Sequence, residues 1–173
     1  MVKKLVSKIL LISGCILAAA AGPAVAQLVF LNVVTGETLD ITQGRPDGRD
    51  TPAVKSFMQT GINPYNEDPD VLVKGEVLFA TACSACHGHV GEGKIGPAIN
   101  SGRWDYPQLE EDKGLFETVF GGAARQMGPQ YEMLTQDEIL QVMAWVRHLY
   151  TGDPADATWL TESQRAAFKP YQH

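Results

Sequence analysis

The feature that most constrains this chain of 173 residues is a five-residue motif near its middle, Cys83-Ser84-Ala85-Cys86-His87. Two thiols at this spacing can add across the vinyl groups of a haem, and the imidazole that follows can reach back to the iron as an axial ligand. The alternatives are a redox-active thiol pair and half of a zinc site. A redox-active thiol pair of the thioredoxin type usually lies in a βαβ unit, which this sequence does not predict. A zinc site would need a second cysteine pair, which the chain lacks. The motif, which occurs once, therefore predicts one covalent haem c held by Cys83, Cys86 and His87.

The N-terminus determines the compartment in which this motif acts. Three lysines precede the apolar stretch Ile9 to Ala21, and Ala24-Val25-Ala26 follows as a small-x-small cleavage pattern. This order is typical of a secretory signal peptide. We expect residues 1–26 to be removed, which places the mature protein in the periplasm without stable membrane insertion. The alternative is a lipoprotein signal in which Cys15 carries the lipid.

The charge of the expected mature chain limits its partners. Residues 27–173 carry 11 Lys and Arg against 20 Asp and Glu, which is a net charge of −9. Nucleic acid and anionic lipid are poor partners for so acidic a surface, whereas a basic protein would be attracted to it.

The pattern divides the mature chain into an N-terminal extension (27–70), a core (71–152) and a C-terminal extension (153–173). Apolar and polar residues alternate from Leu28 to Ile41 around Thr35-Gly36, which predicts a short hairpin. The segment Pro52 to Thr60 is predicted to form one or two helical turns. The N-terminal extension has too few apolar residues for its own core, so it should pack on the rest. The C-terminal extension should also wrap the core, because its aromatic residues would otherwise be exposed, namely Trp159, Phe168 and Tyr171.

Three helices are predicted within the core. The first runs from Val71 and ends at Cys83, and the second covers Lys113 to Phe120 before Gly121-Gly122. The third starts at a capping box made by Thr135 and Glu138 and continues to about Tyr150.

The second axial ligand of the iron must come from another segment, and methionine would favour electron transfer. Met127 is the first candidate because it lies in a glycine-rich loop, Gly121 to Gln130, between two helices. Met133, just before the last helix, is the second candidate. Met143 falls on the apolar face of that helix and Met58 precedes the motif, so both are expected to pack in the core. His89 and His148 are interpreted as surface residues.

The order of several residues resembles class I cytochromes c: Gly75, Phe79, Cys83 to His87, Ile95-Gly96-Pro97, Met127 and Trp145. The resemblance implies an all-α fold in which the first and last core helices cross at Gly75 and Trp145. It also implies that the Pro97 carbonyl accepts a hydrogen bond from the proximal imidazole. In this fold the stretch with Arg103 and Trp104 runs beneath the haem, so these two are predicted to donate to its propionates. The alternative is that Arg103 is a solvated loop charge and Trp104 only packs.

A narrower resemblance covers nearly the whole mature chain. Five groups of residues look like cytochrome cL. They are Val33-Thr35-Gly36-Glu37 with Leu39-Asp40, Gly48-Arg49-Asp50-Thr51, Met127-Gly128-Pro129, Trp145 to Gly152 and Trp159-Leu160. That family implies an electron-transfer protein, not an enzyme, which accepts single electrons from a PQQ-dependent methanol dehydrogenase of calcium or lanthanide type. A further cytochrome or an oxidase would then take the electron. The alternatives are a generic respiratory cytochrome c, which would not need the two extensions, and a haem sensor or enzyme with an open iron position.

Overall fold

The computed structural model describes residues 28–172, and this part of the chain contains six α-helices and no β-strand. The predicted signal peptide and the alternative lipid site at Cys15 lie outside the described residues. The helices are α1 (Pro52–Thr60), α2 (Pro69–Ala82), α3 (Ser84–His87), α4 (Asp112–Gly121), α5 (Gln136–His148) and α6 (Glu162–Ala167). Within the described range, no helix is both long enough and apolar enough to cross a membrane.

Local capping sets the ends of these helices. The Asp68 carboxylate accepts from the backbone N–H groups of Asp70 and Val71, so α2 begins two residues before the predicted start. The capping box predicted at the start of α5 is confirmed, with Thr135 and Glu138 each bonded to the backbone of the other. Helix α4 ends at Gly121 and is capped by Gly122, whose φ of +80° suits glycine.

Helices α2 and α5 cross at the pair of residues that the resemblance implied. A Cβ added at Gly75 would lie 3.0 Å from Trp145 Cβ and closer still to the carbonyl oxygen of Gln141. Only a residue without a side chain lets the two backbones approach to this distance. This crossing fixes the position from which α2 presents Cys83.

The N-terminal extension packs on the core through its aromatic residues. Phe30 and Phe57 both contact Phe116 of α4, with ring centroids 5.3 Å and 5.0 Å apart. The predicted hairpin exists only as a turn closed by one antiparallel bridge between Leu31 and Thr38. No further ladder forms there, since a two-stranded hairpin of this length gains little without a third strand.

The C-terminal extension forms a second, smaller cluster. Trp159 meets the Tyr150 ring edge-on at 5.0 Å, and both are buried together with Ala157, Leu160 and Phe168. Tyr171 donates its backbone N–H to the Tyr150 carbonyl at 2.9 Å and places its ring against Trp145. The three aromatic residues of this extension thus pack against the chain.

A buried ion pair joins the extensions to the core. Arg147 of α5 donates through Nε to Oδ1 of Asp112 at 2.9 Å, and both side chains are almost inaccessible to solvent. The other oxygen of Asp112 accepts from the backbone N–H of Asn63 at 2.9 Å and from Nδ2 of Asn66 at 2.8 Å. The Arg147 guanidinium also lies 4.1 Å from the centroid of the Trp159 ring. One carboxylate therefore connects the N-terminal extension, two core helices and, through Arg147, the C-terminal extension.

Candidate haem-binding site

The motif lies at the end of α2 and forms one further helical turn, α3. The backbone N–H of Cys83 donates to Phe79 O at 2.9 Å, and that of His87 donates to Cys83 O at 3.0 Å. Residues three and four positions apart share one side of a helix, so this turn directs Cys86 and His87 to the same side as Cys83. A single helical turn can therefore present two thiols and an imidazole to one group.

The two thiols differ in exposure. Cys83 is half-buried against the main core, whereas Cys86 is exposed. Burial, with a smaller effect from Cys86, raises the pKa of Cys83 to about 11. A thiolate is the reactive form of cysteine, so this environment makes Cys83 the less reactive kind of thiol.

The imidazole of His87 is held in one orientation. Its Nδ1 lies 2.9 Å from the carbonyl oxygen of Pro97, which can only accept, so Nδ1 carries the hydrogen and Nε2 keeps a free lone pair. Gly96 allows this packing, because a Cβ there would lie 2.8 Å from Cε1 of His87. The contact is the one that the resemblance implied for Pro97.

Backbone hydrogen bonds hold the loop that follows against the motif. Gly93 donates to His87 O at 2.7 Å, and Gly96 donates to Cys86 O at 2.9 Å. The adjoining Ile95 is 78% exposed.

Met127 is half-buried and packs against the same main core as Cys83. Several hydrogen bonds hold its loop, among them one from Ala123 N to Met127 O at 2.9 Å and one from Ala124 N to the Tyr106 hydroxyl at 3.1 Å. The other three methionines of the described chain differ from one another in exposure. Met143 is fully buried, Met58 is half-buried against the core, and Met133 is 57% exposed.

The two residues predicted to meet the propionates lie in different environments. Arg103 is exposed on a loop, whereas Trp104 is half-buried on the main core with its ring centroid 5.4 Å from the Arg147 guanidinium carbon. His89 is exposed, as expected for a surface residue. His148 departs from its interpretation as a surface residue: it is half-buried, its ring centroid lies 5.4 Å from that of Trp145, and Nδ1 lies 3.1 Å from the Glu67 carboxylate.

The loops around the motif differ in charge from the rest of the chain. Residues 83–106 and 122–131 contain three bases, Lys94, Arg103 and Arg125, and two acids, Glu92 and Asp105. The rest of the described chain contains 18 acids and eight bases. The strongly acidic charge therefore lies away from the segments that bear Cys83 and Met127.

The donor set fits a covalent haem. The two thiols share one side of a helical turn with the His87 imidazole, and the Met127 thioether lies on a separate loop that packs on the same core. A cluster of three or more histidine, cysteine, aspartate or glutamate side chains, as a zinc site needs, does not occur within residues 28–172. The motif predicts Cys83, Cys86 and His87, whereas nothing in the local sequence predicts that Arg147 and Asp112 form a buried pair. The only signal for Arg147 was its position inside the apolar run of α5.

The chain is similar to known proteins over most of its length. The family model for cytochrome c matches residues 72–150. The chain is 54% identical over 167 residues to cytochrome c-L of Methylorubrum extorquens, covering 92% of this chain and 85% of that protein. This chain belongs to the cytochrome cL family.

Two solved structures of cytochrome cL are also similar. The protein of the marine methylotrophic bacterium Methylophaga aminisulfidivorans MPT is 54% identical, with a TM-score of 0.80 over 85% of this chain and 97% of the other. The protein of Hyphomicrobium denitrificans is 53% identical, with a TM-score of 0.79 over 85% and 88% of the two chains. Membership of the cytochrome cL family confirms the predicted class I cytochrome c fold and implies covalently bound haem c.

Proposed function

We propose that this protein is a periplasmic one-haem carrier that accepts single electrons from a PQQ-dependent methanol dehydrogenase and passes them to a further cytochrome or an oxidase. The observation that carries the proposal is the similarity to cytochrome c-L over 92% of the chain. The signal pattern of residues 1–26 supports export, and the single attachment motif supports one haem.

Four residues hold the haem in this proposal. Cys83 and Cys86 would form the thioethers, while His87 and Met127 would ligate the iron. The bound haem supplies one-electron redox chemistry. The hydrogen bond from His87 to Pro97 keeps the imidazole in the tautomer that ligates iron and increases its basicity. A histidine–methionine pair raises the reduction potential and suits electron transfer instead of catalysis.

Two further residues are proposed to contact the haem propionates. Arg103 and Trp104 are proposed to donate hydrogen bonds to the propionates. Trp104 packs on the core, and Arg103 is the more exposed of the two.

A reduced quinone releases two electrons and this protein takes one, so each dehydrogenase turnover requires two encounters. Binding must therefore be transient. The net charge of −9 would attract a basic partner over distances limited by the ionic strength.

The test is stopped-flow reduction of the oxidised holoprotein by purified methanol dehydrogenase and methanol. We expect second-order reduction that is fast compared with reduction of an unrelated class I cytochrome c. Equal rates for the two cytochromes would favour the generic respiratory role. The N-terminal extension offers a second test, because deleting residues 28–68 should slow reduction by the dehydrogenase more than reduction by ascorbate if this segment helps docking.

An open iron position is the alternative from another class. The half-buried placement of Met127 in a loop fixed by hydrogen bonds favours a bound thioether. The near-infrared absorption of the ferric protein distinguishes the two, because only a sulfur ligand gives the weak band expected there. Its absence, together with rapid binding of carbon monoxide to the ferrous form, would indicate a sensor or an enzyme.

A further inference from the structure

The turn that directly follows the haem-attachment motif, residues 88–92, is held by the Glu92 carboxylate. Its Oε2 accepts from the backbone N–H of Val90 at 2.9 Å. A Cβ added at Gly88 would overlap this carboxylate, so the acid lies directly against the residue that follows His87. Backbone hydrogen bonds, first from its own N–H and then from that of Val90, lower the pKa of the Glu92 carboxyl. The ionised carboxylate is therefore the form that this turn binds.

The residue after Glu92 connects the turn to the imidazole of the motif. The backbone N–H of Gly93 donates to His87 O at 2.7 Å. A Cβ added at Gly93 would lie 3.2 Å from the carbonyl carbon of Pro97, so the two backbones are in contact. The oxygen of this same carbonyl lies 2.9 Å from Nδ1 of His87. The place of the Pro97 oxygen therefore depends on the place of the turn.

Two more hydrogen bonds join the turn to the segment after Pro97. The backbone N–H of Ile99 donates to Gly91 O at 2.8 Å. Nδ2 of Asn100 donates to Val90 O at 2.9 Å. Because the turn and this segment are bonded at both points, a displacement of the turn also displaces the Pro97 carbonyl.

We propose that Glu92 is a positioning residue for the axial histidine: its carboxylate holds the 88–92 turn, and through it the Pro97 carbonyl, where that carbonyl accepts from His87. This inference rests on the proposed ligation of the haem iron by His87. A hydrogen bond to one ring nitrogen increases the basicity of the other, which stabilises ferric iron. Loss of the Glu92 carboxylate should weaken that hydrogen bond and raise the reduction potential.

The test compares three variants of the holoprotein by NMR in the ferrous state. Glu92→Ala removes the acceptor, whereas Glu92→Gln removes the charge but keeps an oxygen within reach of the Val90 N–H. Asp105→Ala is the matched control, because Asp105 is the other acid in the loops around the motif and is also exposed. The measured quantity is the rate at which the Nδ1 proton of His87 exchanges with solvent. We expect exchange at least about tenfold faster in Glu92→Ala, the order expected for loss of a hydrogen bond to a charged group, and a nearly unchanged rate in the other two.

The reduction potential separates position from charge. Glu92→Ala and Glu92→Gln lose the same charge, so a purely electrostatic effect would raise the potential equally in both. The proposal predicts the larger rise in Glu92→Ala, because only this variant releases the turn. An equal rise, or an unchanged exchange rate in Glu92→Ala, would overturn the proposal.

A second variant covers the case in which Glu92→Ala does not assemble with haem. Glu92→Asp keeps the charge but is one methylene shorter, so exchange of the His87 Nδ1 proton should again be faster, and an unchanged rate would refute the proposal. Ring-current shifts of the His87 resonances in the unaltered protein test iron ligation separately. Their absence would refute the haem assignment and this inference together, whereas their presence with an unchanged exchange rate in the variants would refute this inference alone.

Discussion

Replacement of Asp112 by alanine tests whether the buried ion pair holds the extensions on the core. The change leaves Arg147, which is 1% exposed, as a charge without its counter-ion. It also removes the acceptor for the Asn63 backbone N–H and for Nδ2 of Asn66, both in buried residues. Breaking a buried pair on one side costs about 3–5 kcal/mol, because the remaining charge stays desolvated. Since whole domains are stable by only about 5–15 kcal/mol, the variant should lie close to the limit of folding.

The assay is equilibrium unfolding of the holoprotein in guanidinium chloride, followed by tryptophan fluorescence and by the haem absorption band. The control is Asp50→Ala, which breaks the pair with Lys55 at 3.3 Å, where the Asp50 side chain is 94% exposed. Exposed pairs contribute little, so this control should not change the unfolding midpoint measurably. The double variant Asp112→Ala/Arg147→Met should recover part of the loss, because it removes the stranded charge. Equal midpoints for Asp112→Ala and Asp50→Ala would refute the reasoning.

Four further outcomes are expected. Met127→Ala should abolish the near-infrared band of the ferric protein while Met133→Ala keeps it, and the reverse pattern would move the ligand to Met133. Gly75→Ala should destabilise the protein by about 1–3 kcal/mol, because the methyl group collides with the Gln141 carbonyl; an unchanged thermal midpoint would contradict the close helix crossing. Arg103→Ala should lower the reduction potential by removing a cation near the propionates, whereas an unchanged potential and pH dependence would show a solvated loop charge. The second-order rate of reduction by the dehydrogenase should fall as salt is added, and a flat salt dependence would indicate an apolar docking surface.

Features defined by neighbours along the chain are predictable from the amino-acid sequence alone. The turn that presents Cys83, Cys86 and His87 follows from their spacing, and the capping box of Thr135 with Glu138 follows from a contact three residues apart. These interactions close within one helical turn, so their geometry is contained in the local pattern. The short hairpin predicted for Leu28 to Ile41 forms only one bridge, because the pairing of two strands depends on what packs against them.

The roles of Arg147, Asp112 and His148 were decided by the tertiary structure. On a helix considered alone, Arg147 and His148 look like solvated charges at the C-terminus, where basic residues are favoured by the helix dipole. Their partners lie 35 and 81 positions away, at Asp112 and Glu67. The cost of burying a charge depends on which counter-ion and which hydrogen-bond donors the fold brings to it, and the helical period does not contain that information. The sequence by itself therefore predicts a haem-attachment motif. The buried ion pair of Arg147 with Asp112, which joins the extensions to the core, was decided only when distant segments packed together.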